Sequence, residues 1–230
     1  MSSATVPDEA TRDRERNRRR DYGSVRLSQR DGNLLRLLAE QYAISVDQLA
    51  RLIGRSHRTG RWLRDRWRHA GWVESRQLTS GGPSFIWLTR QGTRIAQSPY
   101  RTWQPNASLI GHIEAVTELR LLLDRQLRLG TWRCERALAK EERSRSQWRP
   151  HLPDAVLHRN QEPIALEVEL TLKSRARLGE IVAALAEQYA QVWYFAAAAL
   201  LPALSEVAAE VPDENVRVYS YPPRASELLR

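Results

Sequence analysis

The sequence predicts an α+β protein of two modules: a helical module closed by a β-hairpin over residues 28–98, and an α/β module over residues 109–230. Three observations predict it. Capped runs with apolar residues at helical spacing fill the first hundred residues and lead to a Gly-Gly turn between two short extended runs. In the second half, extended apolar runs alternate with helical ones. The charge divides the same way: residues 28–98 carry 12 arginines against 5 acids, whereas residues 108–230 carry 16 basic and 17 acidic residues. The chain's net charge of +9 therefore lies almost wholly in the first hundred residues, which points to a polyanion partner there.

Several classes are set aside at once. One cysteine, Cys134, allows no disulfide framework and no cysteine-based zinc site, and it reads as a core residue. The longest apolar run, Val192 to Leu201, has ten residues where a spanning helix needs about twenty. The N-terminus has no apolar signal core. A cytoplasmic protein with no membrane partner is the expectation. No phosphate-cradling glycine loop marks an ATPase or GTPase.

Residues 1–27 form a basic arm almost without large apolar residues and are expected to be disordered. Ser28 caps a first helix to Gln41, with Leu34, Leu35, Leu37 and Leu38 at helical spacing. Ser45 caps a short second helix that Gly54 stops. Ser56 caps a third that runs to Ala70 and ends at Gly71. Trp72 to Leu78 and Phe85 to Leu88 read as strands around the Ser80-Gly81-Gly82-Pro83 turn, and Thr89-Arg-Gln-Gly92 leads into a short helix over Thr93 to Ala96. Three helices and then a hairpin is the order of a winged helix-turn-helix. On the third helix Arg58, Arg61, Arg64 and Arg68 share one stripe, with Arg55 just ahead, and Leu63, Trp67 and Ala70 lie opposite. Asp65 is the only acid on the arginine side, so that side is expected to contact DNA, with Gly81 and Gly82 as the tip of the wing. Trp62, Trp67, Trp72 and Trp87 read as core and hairpin packing.

Residues 99–108, with two prolines and no periodicity, read as a linker. Next come a long helix over Ile110 to Leu129, a strand over Thr131 to Leu138 and a polar Arg-rich loop over Ala139 to Trp148. Strands at Asp154 to Leu157 and Ile164 to Leu172, a helix over Ser174 to Gln191, a strand at Val192 to Ala197, a helix over Pro202 to Val211 and a strand at Val216 to Tyr221 complete the chain. Helix, three strands, helix, strand is the core order of a restriction-endonuclease-like α/β domain. Strand alternation turns Glu167, Glu169, Thr171 and Lys173 to one face, and Asp154 on the neighbouring strand can share it. Carboxylates gathered on one face repel and need a cation, a proton or a buried arginine. Hard oxygen ligands suit Mg²⁺, the one cofactor expected and only for an active site of this kind, which would activate water beside an orienting lysine. The plain alternative is a set of satisfied ion pairs, such as Glu169 with Lys173 or Arg175. His112, His151 and His158 are not at metal-ligand spacing and read as satisfied histidines.

The segment Trp87-Leu-Thr-Arg-Gln-Gly-Thr93 resembles the wing exit of MarR-like regulators. The second module is similar to the PD-(D/E)xK nuclease superfamily. With Pro153-Asp-Ala155 and Leu166-Glu-Val-Glu-Leu-Thr-Leu-Lys-Ser174, the chain over about residues 28–221 resembles the replication-relaxation family of plasmids and integrative elements. The resemblance implies a DNA-binding winged helix, metal ligands at Asp154 and Glu167, and a helical acid at Glu114 or Glu118. Glu169 stands where the superfamily places its lysine, and Lys173 lies four residues further on. The functions implied are a DNA-binding accessory protein of a mobile element, a Mg-dependent endonuclease or nickase using Asp154, Glu167, Glu169 and Lys173, or a dimeric transcriptional repressor. Double-stranded DNA is the expected partner, with a homodimer as a further possibility.

Overall fold

The computed structural model describes residues 25–144, 151–160, 162–171, 173–211 and 215–229. Most of the basic arm, and part of the Arg-rich loop before His151, lie outside these residues.

The first module begins with helix α1 (Gln29–Glu40), strand β1 (Ala43–Ser45) and helices α2 (Val46–Leu52) and α3 (His57–His69). The caps fall where the hydroxyls predict. Ser28 Oγ accepts from Asp31 N at 3.2 Å and Asp31 reaches back to Ser28 N at 3.0 Å, so two orphan donors of the first turn are satisfied reciprocally. Ser45 and Gln48 repeat this box on α2, and Ser56 caps α3. Strands β2 (Val73–Gln77) and β3 (Ser84–Leu88) form the hairpin, followed by helix α4 (Arg90–Ile95). Gly92 has a packing reason: a Cβ there would lie 1.8 Å from the Trp72 carbonyl oxygen. β1 is not foreseen by the sequence. It joins β3 antiparallel, giving a three-stranded sheet in the order β1-β3-β2. Three residues ahead of a helix cap carry no readable alternation, and only the pairing with β3 makes them a strand.

Trp67, Trp72 and Trp87 are buried as expected, but Trp62 is 58% exposed and is no part of the core.

Residues 101–106 cross to the second module, and Trp103 packs edge-on against Trp87 at 6.5 Å. Helix α5 (Ala107–Arg120) starts earlier than expected and runs into a π-helical turn, Leu121–Gln126. Strand β4 (Thr131–Cys134) ends four residues before its expected limit, and helix α6 (Glu135–Glu142) replaces the rest of the strand and the start of the loop. Glu-Arg-Ala-Leu-Ala-Lys-Glu-Glu is made of strong helix formers, and a single buried anchor, Leu138, docks it.

Strands β5 (Ala155–Arg159) and β6 (Glu162–Glu169), helix α7 (Arg175–Gln188), strand β7 (Gln191–Ala196), helix α8 (Leu201–Ala209), strand β8 (Val216–Ser220) and helix α9 (Ala225–Leu228) follow. The five strands form one mixed sheet, β4-β5-β6-β7-β8, antiparallel through β6 and parallel from β6 to β8. Ala115, Leu119 and Leu123 cover one face above Leu157, Leu166 and Phe195. Ile181, Leu185 and Leu204 cover the other face above Val156, Ala165 and Tyr194.

The modules are joined by polar contacts as well as by chain. Arg136 on α6 donates to the Ala39 carbonyl at 2.6 Å, and its guanidinium lies over Tyr42 at 4.6 Å. Arg120 pairs with Glu40 at 2.6 Å, and Tyr42 donates to Glu135 at 2.9 Å.

Candidate functional site

β5 and β6 run antiparallel with Ala155 opposite Leu166, so continuing the register places Asp154 opposite Glu167. Both side chains then lie on the face of Val156 and Ala165. Asp154 Oδ2 accepts from the Val168 N–H at 2.8 Å, which fixes the carboxylate at the strand end. Its Oδ1 lies 2.8 Å from His112 Nε2 on α5. Glu167 is 6% exposed, with Oε1 2.9 Å from His151 Nε2. Glu169 is equally buried and ion-pairs with Lys173. Tyr194 stands opposite Glu167 on β7, fully buried, and its hydroxyl has no hydrogen-bond partner among the described residues.

Asp154 and Glu167 are thus brought together, and Lys173 reaches Glu169. The strand alternation expected for Thr171 and Lys173 does not extend to them, because β6 ends at Glu169. Lys173 arrives from the loop beyond. The helical acids are not brought to Asp154. Glu118 is bonded to Gln48 at 2.8 Å and to Arg51 at 2.7 Å, and Glu114 sits beside it. His112 takes the helix position that faces Asp154.

The electrostatics follow from burial and repulsion. Desolvation, with the Asp154 charge adding to it, pushes the Glu167 carboxyl up to about 7 despite His151. Burial alone would lower the imidazole of His112, but Asp154 outweighs it and holds His112 above its ordinary value. The Glu167 contact does the same for His151. Burial and then Glu167, Glu169 and Asp154 push the Tyr194 phenol up. The roles of His112 and His151 escape a reading of the sequence because nothing local joins them to the acids. His112 is 42 residues from Asp154, and only the packing of α5 makes the contact. A cavity of about 360 Å³ opens here between the modules, lined by Tyr42, Trp103, His112, Glu135, His151 and Asp154 among others.

The arginine face lies on the other module. Arg55, Arg58, Arg61 and Arg68 are exposed. The Arg64 side chain is 17% exposed and its Nε donates to Asp65 at 2.9 Å. Arg66, outside the expected stripe, ion-pairs with fully buried Asp31. α3 packs closely on α2, with the Gly60 Cβ position 3.2 Å from Ala50 Cβ. At the hairpin tip Gly81 has φ +71°, a conformation open to glycine, and Gln77 Nε2 donates to the Gly82 carbonyl at 2.9 Å.

No family profile matches the chain, and no curated protein is similar enough to match it. Among the described residues, no helix is long and apolar enough to cross a membrane.

Proposed function

We propose that this chain is a DNA-binding accessory protein of a plasmid or integrative mobile element, serving replication, relaxation or transfer. In this reading residues 28–98 are a winged helix, α3 enters the major groove and the Gly81–Gly82 turn is the wing. The observation that carries it is the outward face of α3. Arg58 and Arg61 stand exposed with no ion pair among the described residues, next to Arg55 and Arg68. A guanidinium left without a carboxylate is free to meet phosphate or guanine bidentately. Titration of duplex DNA at salt concentrations between roughly 50 and 300 mM tests the reading, with an expected log–log slope of about −0.9 per phosphate neutralised. A slope near zero, or no binding, overturns it.

A second reading, a Mg-dependent endonuclease or nickase, is favoured by the juxtaposition of Asp154 and Glu167. Their chemistry fits a divalent cation: desolvation, and then repulsion between the two carboxylates, pushes Glu167 up to about 7. Among the described residues no three His, Cys, Asp or Glu side chains form a metal-holding group. Mg²⁺ commonly takes only one or two carboxylates, with water and substrate phosphate completing its shell. Bound there, it would polarise a phosphate and acidify water. Asp154 and Glu167 would hold it, His112 and His151 would orient the two carboxylates, and Lys173 would stay anchored on Glu169. Nicking of supercoiled plasmid in Mg²⁺, abolished by Asp154→Asn, tests this branch. Binding without nicking leaves the accessory role alone.

A further inference from the structure

Trp62 is unlike the other tryptophans of the first module. It is 58% exposed, while Trp67, Trp72 and Trp87 are at most 5% exposed. On α3 it stands about 40° round the helix from Arg58 and about 100° from Arg61, so it flanks the basic stripe on the Arg58 side. It is also held in place. The Arg66 guanidinium lies 5.5 Å from its ring centroid, and Arg66 is paired with Asp31. Asp31 is 0% exposed and is bound in turn by the Ser28 hydroxyl at 2.7 Å and the Trp67 indole N–H at 3.1 Å. An exposed aromatic ring therefore rests on a buried polar anchor, and little ordering is left to be lost when a ligand covers it.

We infer that Trp62 is a specificity-determining residue that packs on the 5-methyl group of thymine in the major groove. The inference rests on the duplex-binding reading of α3. Charge complementarity selects the occupant: Trp62 flanks the exposed cations of Arg58 and Arg61 on α3, and these select a polyanion. Within a duplex, the thymine methyl is the apolar group that the major groove presents to such a ring. An indole carries one donor and no acceptor, so its broad faces meet apolar surface. Trp62 also lies in the N-terminal half of the helix, where base contacts concentrate.

The test is selection from a random-sequence duplex library with the full chain and with Trp62→Ala. Unchanged melting temperature serves as the check on folding. The wild type is expected to enrich thymine at one position that Trp62→Ala does not enrich. Replacing that thymine by deoxyuridine should weaken the wild type by about fourfold, as expected for removal of one methyl group, and leave Trp62→Ala unchanged. Identical enrichment by both proteins, or an equal response to deoxyuridine, overturns the inference while duplex binding stands. Retained duplexes without any enriched thymine overturn it as well. If neither protein retains duplex, the inference and the duplex-binding reading fall together.

Discussion

Asp31 in the first module and Glu167 in the second are both carboxylates taken almost wholly out of water, 0% and 6% exposed. Their surroundings differ in sign. Asp31 accepts from the Ser28 backbone at 3.0 Å and from the Trp67 indole at 3.1 Å, and it pairs with Arg66. Burial alone would raise it, but Ser28, Trp67 and Arg66 outweigh burial and hold it below its ordinary value. Glu167 faces another carboxylate, and burial together with the charge of Asp154 pushes it up to about 7. A buried acid whose charge is met by donors is structural. A buried acid set against a second acid costs stability, and such costs are concentrated at functional sites. The difference therefore ranks Glu167 above Asp31 as a site residue, although both are buried.

The largest expected effect breaks the satisfied side. Asp31→Ala leaves Arg66 without its carboxylate and removes the acceptor of the Ser28 N–H from the α1 capping box, at an expected cost of about 3–5 kcal/mol in chemical denaturation. A loss below about 1 kcal/mol would show that Asp31 is not the keystone its contacts imply. The frustrated side should respond with the opposite sign. Glu167→Gln removes the charge that Asp154 repels, and at pH 8 it should stabilise the protein by about 1–3 kcal/mol.

The pH dependence separates the two acids further. Folded Glu167 keeps its proton to about 7, against an ordinary 4.5, so between those values the folded state binds more protons than the unfolded one. Stability then falls as pH rises across that window, and the gain from Glu167→Gln should vanish only as pH falls below the ordinary 4.5. Around Glu167, burial and the Asp154 charge oppose its ionisation, while His151 and Lys173 favour it, and the Tyr194 phenol, itself pushed up by burial, stays neutral in this range. His112 and His151 are held above their ordinary values, so they also lose stability as pH rises through their folded values. Asp31 contributes fully above its ordinary 3.8 and loses its contribution only as pH falls through its lowered value. Urea melts of the wild type from pH 4 to 8 check this. A flat profile between pH 5 and 8 would remove the contrast.

Lys173→Ala tests a third buried acid. Glu169 is 5% exposed and, among the described residues, keeps only long contacts to Thr171 N at 3.3 Å and Thr171 Oγ1 at 3.4 Å once the lysine is gone. The Lys173 side chain is 36% exposed, which moderates the loss to about 1–2 kcal/mol at neutral pH.

How much of this is legible in the sequence depends on how local each feature is. The Ser28, Ser45 and Ser56 caps and the leucine spacing of α1 are written within a few residues, and all three helix starts can be read from them. The meeting of Asp154 with Glu167 follows from strand alternation and a hairpin register, so it is accessible as well. The spacing of Asp31 from Ser28 is local, but its tie to Arg66 and Trp67 is not legible, because these partners are 35 and 36 residues away. His112 and His151 stay hidden for the same reason: their roles exist only once α5 and the segment before β5 pack on the sheet. Trp62 shows the reverse error. Its residue type suggests a core position, yet the angular position on α3 already places it on the side of Arg58.

The smallest expected effect concerns the exposed cations, where the sequence makes Arg58, Arg61 and Arg64 look alike. Arg58 and Arg61 are exposed and lack an ion pair among the described residues. Arg64 is 17% exposed and held by Asp65 through contacts of 2.9 and 2.8 Å. To reach DNA, Arg64 must first give up Asp65, whose carboxylate would then keep only the longer 3.8 Å contact to Arg68 among the described residues. Replacing Arg58 or Arg61 by alanine should weaken duplex binding by about 1–3 kcal/mol, with a shallower salt slope wherever the arginine had neutralised a phosphate. Arg64→Ala should cost no more than about 0.5 kcal/mol, the scale of an exposed pair already satisfied within the helix. Asp65→Ala discriminates between the two explanations of that small value. If Asp65 restrains Arg64, its removal should strengthen binding, and Arg64→Ala made on that background should then cost as much as Arg61→Ala. If the double variant still loses little, Arg64 lies outside the contact surface, and the basic face of α3 narrows to Arg58, Arg61 and Arg68.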